Sequence, residues 1–142
     1  MAELTAPARY EIITDCALYQ TYPLAAGTYH SGAILSFKAA GLVGNCTSSE
    51  TEGIAGMLTG HYSDGLKTDT RVVATNGAAS VEVFRGRIWF KAASYDPSLL
   101  GVFVNFTDNA TLVQSQPARV YKVRVYGTRS TGHVLIDLDH FR

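Results

Sequence analysis

The sequence predicts an all-β fold: a compact β-sandwich or barrel of short antiparallel strands, preceded by an extended N-terminal arm. Three observations predict it. Apolar residues alternate with period two far more often than with period 3.6. Turn signals recur roughly every 8–12 residues, the spacing of all-β domains. Hydrophobic residues make up 46% of the 142 residues and charged residues 17%. That balance supports one packed core and is too poor in charge for a disordered chain. The expected organisation is an arm over 1–9 and a single β domain over 10–142.

The arm, AELTAPAR at 2–9, has small residues, a proline and no periodicity. Strands follow at Tyr10–Cys16, Ala33–Lys38 and Ile54–Thr59. Gly44–Gly53 (GNCTSSETEG) and His61–Thr70 (HYSDGLKTDT) are the most polar internal stretches and read as surface loops. Thr70–Thr75 and Ser80–Phe84 are separated by Asn76-Gly77, a turn signal because both residues tolerate positive φ. Gly86 interrupts VEVFRGRIWFKA and predicts a bulge or sharp bend before the strand Arg87–Ala92. In that strand Ile88, Phe90 and Ala92 alternate with Arg87, Trp89 and Lys91. Phe90 is therefore expected in the core and Trp89 partly exposed.

Gly101–Thr107 and Thr111–Gln114 continue the series around an Asp108-Asn109 turn. Arg119–Tyr126 alternates most clearly, with Tyr121, Val123 and Val125 on one face and Val120, Lys122, Arg124 and Tyr126 on the other. His133–Asp139 places Val134, Ile136 and Leu138 together. These two segments read as a terminal antiparallel hairpin with a loop over Gly127–Gly132. Short helical turns are expected only at Pro97–Leu100 and Ala39–Val43.

Lys plus Arg and Asp plus Glu number 12 each, for zero net charge, which disfavours a uniformly basic nucleic-acid binder. The total hides an asymmetry. Residues 1–70 carry three basic and seven acidic residues, a net of −4; residues 71–142 carry nine and five, a net of +4. Interleaving of the halves in a β domain would cancel this in space. The alternative is a polarised surface suited to a repeating partner. No run approaches the roughly 18 apolar residues of a membrane helix. MAELTAPARY lacks the basic and apolar regions of a signal peptide, so synthesis in a cytoplasm is expected. Cys16 and Cys46 then read as buried thiols.

No motif points to catalysis. His30, His61, His133 and His140 form no HxH or HExxH spacing. Asp137, Asp139 and His140 are the only local cluster of ligand types, but on a strand the two carboxylates share a face that His140 opposes. A small metal-assisted hydrolase on these three is the enzymatic alternative; the expectation is no metal, no cofactor and no enzyme. Neither G-x-S-x-G nor a Gly-rich phosphate loop occurs. Asn45-Cys46-Thr47, Asn105-Phe106-Thr107 and Asn109-Ala110-Thr111 are sequons that matter only in a secreted chain. Trp89, the single tryptophan, is the best candidate for an interface anchor. The bland alternative is a tryptophan covered by neighbouring side-chain stems. The eight tyrosines suit interfaces as well as cores.

From Leu24 to Ala92 the chain has a distinct cadence: Gly27-Thr28-Tyr29-His30-Ser31-Gly32-Ala33-Ile34-Leu35, then Leu42-Val43-Gly44, then Gly53-Ile54-Ala55-Gly56-Met57-Leu58, then Val81 to Ala92. Asp96-Pro97-Ser98-Leu99-Leu100-Gly101 leads to Val102, Val104 and the closing hairpin. Over about two-thirds of its length the chain resembles the small capsid decoration, or cement, proteins of tailed bacteriophages. It departs from them in its richness in Tyr and Thr and in the segment through Tyr22. The resemblance implies a protein without chemistry that binds the outside of an assembled shell and clamps neighbouring subunits. It implies the major capsid protein as partner, a homotrimer, a place on the virion exterior after synthesis in the host cytoplasm, and neither nucleic acid nor membrane as ligand. Ala2, Glu3, Leu4, Thr5 and Arg9 are the candidate strap onto the capsid. Trp89, Tyr121 and Tyr126 are the candidate oligomer contacts, chosen by residue type and position. The alternatives are a glycan-binding β module on a virion surface and a tail or tube component.

Overall fold

The computed structural model describes residues 5, 7, 10–12, 18–47, 53–91, 100–101, 103–106, 108–110, 112–113, 123–129 and 133–138. Its strands are β1 (Tyr10–Ile12), β2 (Leu18–Pro23), β3 (Gly27–His30), β4 (Ile34–Phe37), β5 (Val43–Asn45), β6 (Ile54–Tyr62), β7 (Thr70–Val73), β8 (Ser80–Arg85), β9 (Arg87–Lys91), β10 (Phe103–Phe106), β11 (Leu112–Val113), β12 (Val123–Thr128) and β13 (His133–Asp137). They form a six-stranded sheet in the order β1-β9-β13-β12-β10-β11, a five-stranded sheet in the order β2-β8-β6-β4-β5, and a ribbon of β3 and β7. Every pairing within them is antiparallel.

The five-stranded sheet curls until its edges meet. Past β2 the chain pairs on one side with the approach to β8, where Leu24 N–H donates to Ala79 C=O at 2.9 Å. On its other side Leu24 forms a parallel bridge with Val43 of β5, and Ala25 N–H donates to Val43 C=O at 2.9 Å. The result is a small closed barrel, which leaves neither edge of that sheet open along the seam.

One continuous segment builds both sheets. β8 lies in the barrel and β9 in the six-stranded sheet, and Gly86 turns the corner between them at φ +154°. A strand that passes between packed sheets needs such a bend, and only glycine enters that region without steric cost. The N-terminal segment follows the same path in reverse: Tyr10 pairs with Phe90, Ile12 with Ile88, Leu18 with Arg85 and Pro23 with Ser80.

Two cores result. Between the sheets, Ile34, Cys46, Ile54, Met57 and Phe84 from the barrel side meet Ile88, Phe90, Val104, Phe106, Val125, Val134, Ile136 and Leu138. The second core comprises Leu24, Tyr29, Leu35, Val43, Ala55, Leu58, Tyr62, Val73, Ala79, Val81 and Val83, to which the ribbon contributes Tyr29 and Val73. β6 is therefore buried on both faces over Ile54–Leu58, which explains an apolar run without alternation.

The expected strands are present with shifted ends. β6 continues past Thr59 to Tyr62, into the stretch read as a loop, because the pairing with β8 slips between Leu58 and Tyr62. The Gly44–Gly53 loop is likewise corrected: Gly44 and Asn45 belong to β5, and Cys46 is fully buried. The helical turn expected at Ala39–Val43 is a 3-10 turn over Ala39–Gly41. The Gly27–Leu35 run divides into β3 and β4, and β2 was not expected, since LYQTYP carries no alternation and ends on proline. Gly77 turns at φ +77° as its dipeptide predicts. The terminal hairpin forms, with Val134, Ile136 and Leu138 fully buried. β12 extends through Thr128, so Gly127 and Thr128 are strand and not loop. The halves 1–70 and 71–142 interleave in part: β8 lies between β2 and β6 in the barrel, β7 pairs with β3 in the ribbon, and β1 pairs with β9 in the six-stranded sheet. Cys16 and most of the Pro97–Leu100 turn lie outside the described residues.

Candidate interaction surface

The six-stranded sheet presents a face of mixed aromatic and guanidinium character. Period two fixes it: Ile88, Phe90, Val134 and Ile136 point into the core, so Arg87, Trp89, Leu135 and Asp137 point away. Register then sets the neighbours. Trp89 lies opposite Leu135, and Arg87 opposite Asp137. Gly127 of β12 lies opposite Leu135 on its other side, after a bulge between Val125 and Gly127.

Trp89 is clamped. Its indole reaches across Leu135 as far as Gly127, where an added Cβ would lie 3.0 Å from Trp89 Cη2. The Arg129 guanidinium sits over the ring, its carbon 3.9 Å from the centroid. Arg129 is itself placed by the hairpin, its N–H donating to His133 C=O at 2.9 Å. Beside this pair, Arg87 donates through Nε to Asp137 Oδ2 at a long 3.4 Å. Its guanidinium carbon is 5.6 Å from the centroid of the Tyr126 ring. Tyr126 is 42% exposed and Leu100 57% exposed. Gly101 N–H, bonded to Val125 C=O at 2.8 Å, holds Leu100 close to Tyr126 in the chain path.

Trp89 and Tyr126 thus share one face of the sheet, bridged by Arg87 beside Tyr126. Trp89 is half-buried, as its position in the alternation predicts. What covers it is the guanidinium of Arg129, which follows β12, two strands away across β13. Tyr121, and Ala2, Glu3, Leu4 and Arg9 of the arm, lie outside the described residues; Thr5 is exposed. Arg129 and Leu100 were not singled out from sequence. A glycine inside an otherwise alternating strand, Gly127, was the signal for close approach of a large side chain.

The other polar groups serve the fold. Arg71 grips Asp64 with two hydrogen bonds, 3.2 and 2.7 Å, and stacks over Tyr62 at 4.4 Å. Arg71's hydrogen bonds hold the Asp64 carboxyl below the usual carboxylate range, helped by Leu66 N–H. Tyr29 donates its hydroxyl to Ala25 C=O at 2.6 Å, and burial pushes its pKa up to about 12. A shallow depression of about 410 Å³ along the barrel seam is lined by Ala25, Leu42 and Gly44 with Lys38 and Asn76. Among the described residues no group of three His, Cys, Asp or Glu side chains is placed to hold a metal ion. Asp137 turns to Arg87, while Asp139 and His140 lie outside the described residues. Among the described residues no helix is long and apolar enough to cross a membrane.

Neither protein-family models nor curated proteins give a match to this chain. Among solved structures, its fold is similar to that of a chain in the capsid of Myoviridae Phage XM1, with a TM-score of 0.61. The likeness covers 100% of this chain and 94% of that one, at 16% sequence identity. At that identity it is a likeness of fold, and it extends over both sheets and the ribbon together.

Proposed function

We propose that this chain is a non-enzymatic virion structural protein that binds the outer surface of an assembled phage capsid and stabilises it by bridging neighbouring subunits. The observation that carries this reading is the end-to-end likeness of fold to a chain of a phage capsid. Physical considerations agree with it. A small domain touching several subunits of a shell gains affinity by effective concentration, even where each contact is weak. The barrel seam suits a protein displayed at high density, because it covers edges of one sheet that could otherwise pair between copies. Association as a homotrimer would multiply the contacts again.

The test uses shells assembled from the major capsid protein encoded with this chain. The purified protein is mixed with them and sedimented, and the shells are then heated with and without it. Co-sedimentation with a raised disruption temperature supports the proposal. Protein that stays in the supernatant, or that binds without changing the disruption temperature, contradicts it.

A further inference from the structure

We infer that Asn76 is a latent deamidation site, which the closed barrel seam keeps intact and whose conversion to isoaspartate unfastens that seam in turn. The inference stands apart from the function proposed above and does not depend on it.

The dipeptide Asn76-Gly77 is more than a turn signal. It is also the context in which the main chain attacks an asparagine side chain most easily, because glycine has no Cβ to hinder its own nitrogen. The Gly77 nitrogen bonds to Asn76 Cγ and the Cγ–Nδ2 bond breaks. Nδ2 leaves as ammonia, with the proton that Gly77 gives up. Water then opens the resulting five-membered succinimide at one of its two carbonyl carbons. Opening at Cγ leaves an ordinary aspartate. Opening at the main-chain carbon leaves isoaspartate, with the chain rerouted through Cβ and Cγ and one carbon longer.

In the fold both reactive groups are engaged, and by one short segment. Gly77 N–H donates to Leu24 C=O at 2.8 Å, and Ala26 N–H donates to Asn76 Oδ1 at 2.8 Å. Leu24 and Ala25 are the residues that close the barrel, against Ala79 and Val43. The turn acts in the same direction. Ala78 N–H donates to Thr75 C=O at 3.1 Å, and Gly77 has φ +77° while Asn76 keeps a negative φ. This is a type II turn, which sets ψ of its first central residue near about +120°. Ring closure needs the Gly77 nitrogen to eclipse Asn76 Cβ about the Cα–C bond, and that ψ holds it well away. Cyclisation therefore waits on an opening that frees the turn from Leu24 and Ala26, and it slows as that opening becomes rarer. An aspartate at position 76 keeps an oxygen to accept from Ala26 N–H. Isoaspartate lengthens the turn and moves the carboxylate, so the bonds to Leu24 and Ala26 cannot both re-form.

The experiment holds the full-length protein at mildly alkaline pH, folded and in unfolding urea, and samples both over time. Trypsin, used briefly at mildly acidic pH, releases residues 72–85, in which Asn76 is the sole Asn or Gln. Mass spectrometry of that peptide counts the amide lost, and chromatography separates isoaspartate from aspartate. Conversion is expected in urea, and roughly tenfold or more slowly in the folded protein. Equal rates in the two arms, or no conversion in urea, would overturn the inference. Protein carrying isoaspartate at position 76, purified from the urea arm, is expected to refold to a lower urea midpoint than Asn76→Asp, or not to refold. An isoaspartyl protein as stable as Asn76→Asp would overturn the coupling of conversion to the seam.

Discussion

Asn109 donates its side-chain N–H to Asn45 Oδ1 at 2.8 Å, linking the turn after β10 to the barrel strand β5. The link continues both ways: Asn45 Nδ2 donates to Thr28 C=O at 3.0 Å, and Ile34 N–H donates to Asn109 C=O at 2.9 Å. Asn109 is 2% exposed, so its bonds have no easy replacement from water. Asn109→Ala is expected to cost about 1–3 kcal/mol, read as a lower urea midpoint. Asn109→Asp should cost at least as much, because it sets an acceptor against Asn45 Oδ1. Flipping the Asn45 amide to meet it would forfeit the bond to Thr28.

Gly56 of β6 sits at φ +142°, and an added Cβ would lie 2.3 Å from Phe84 C=O and 2.7 Å from Val83 Cγ1. The first of these is backbone of the paired strand and cannot move aside alone. Gly56→Ala is expected to abolish folding or to cost more than about 3 kcal/mol. Gly65, at φ +88° with open space around it, is the comparison. Gly65→Ala should cost only about 1 kcal/mol, from backbone conformation alone.

Stability should fall in alkali. Tyr29 and Tyr62 both hold their protons above the ordinary phenol value of 10.0, chiefly through burial, and Tyr29 reaches about 12. The unfolded chain gives up these protons first, so it binds fewer than the folded chain once pH exceeds 10. The contribution of Tyr29 is therefore whole below pH 10 and is lost as pH climbs from 10 through about 12. Tyr29→Phe is expected to be less stable at neutral pH, having lost the bond to Ala25, and to fall less steeply over the alkaline range. Urea unfolding at a series of pH values checks both slopes.

Trp89 is the only tryptophan, so its fluorescence reports the candidate surface without interference from another indole. Arg129→Ala uncovers one face of the ring and is expected to red-shift the emission, with a stability loss of about 0.5–1 kcal/mol. Gly127→Ala should shift the emission as well, since the new methyl group displaces the ring edge. An unchanged spectrum in both variants would show that the clamp is not held in solution.

The arm is tested by deleting residues 1–9. Among the described residues pairing begins at Tyr10, so the truncated protein should keep its circular dichroism spectrum and its urea midpoint. Its binding to shells should weaken. Unchanged binding would remove Ala2, Glu3, Leu4, Thr5 and Arg9 from the contact.

Much of the fold was legible because half-buried strands write their faces into the sequence. Ile88 and Phe90 alternate with Arg87, Trp89 and Lys91, and Val134 and Ile136 with His133, Leu135 and Asp137, and each of the four is buried where the alternation puts it. Gly86 announced a corner because nothing else in VEVFRGRIWFKA interrupts the pattern. What failed was long-range. β2 is a strand because it pairs along its whole length with β8, from Leu18 opposite Arg85 to Pro23 opposite Ser80, a distant partner that LYQTYP does not foretell, and β5 is one because it pairs with β4. Tyr62 looked like loop because its neighbours are polar, yet the slipped register with β8 turns it into the second core. The interaction surface was half legible for the same reason. Trp89 stands out by type, whereas Arg129 reaches it only through the hairpin pairing of β12 with β13.

A cryo-electron microscopy reconstruction of shells incubated with this protein tests the account most directly. The account predicts added density on the outer surface, each copy spanning more than one capsid subunit. Density built into the shell wall, density on one subunit only, or shells left bare would contradict it.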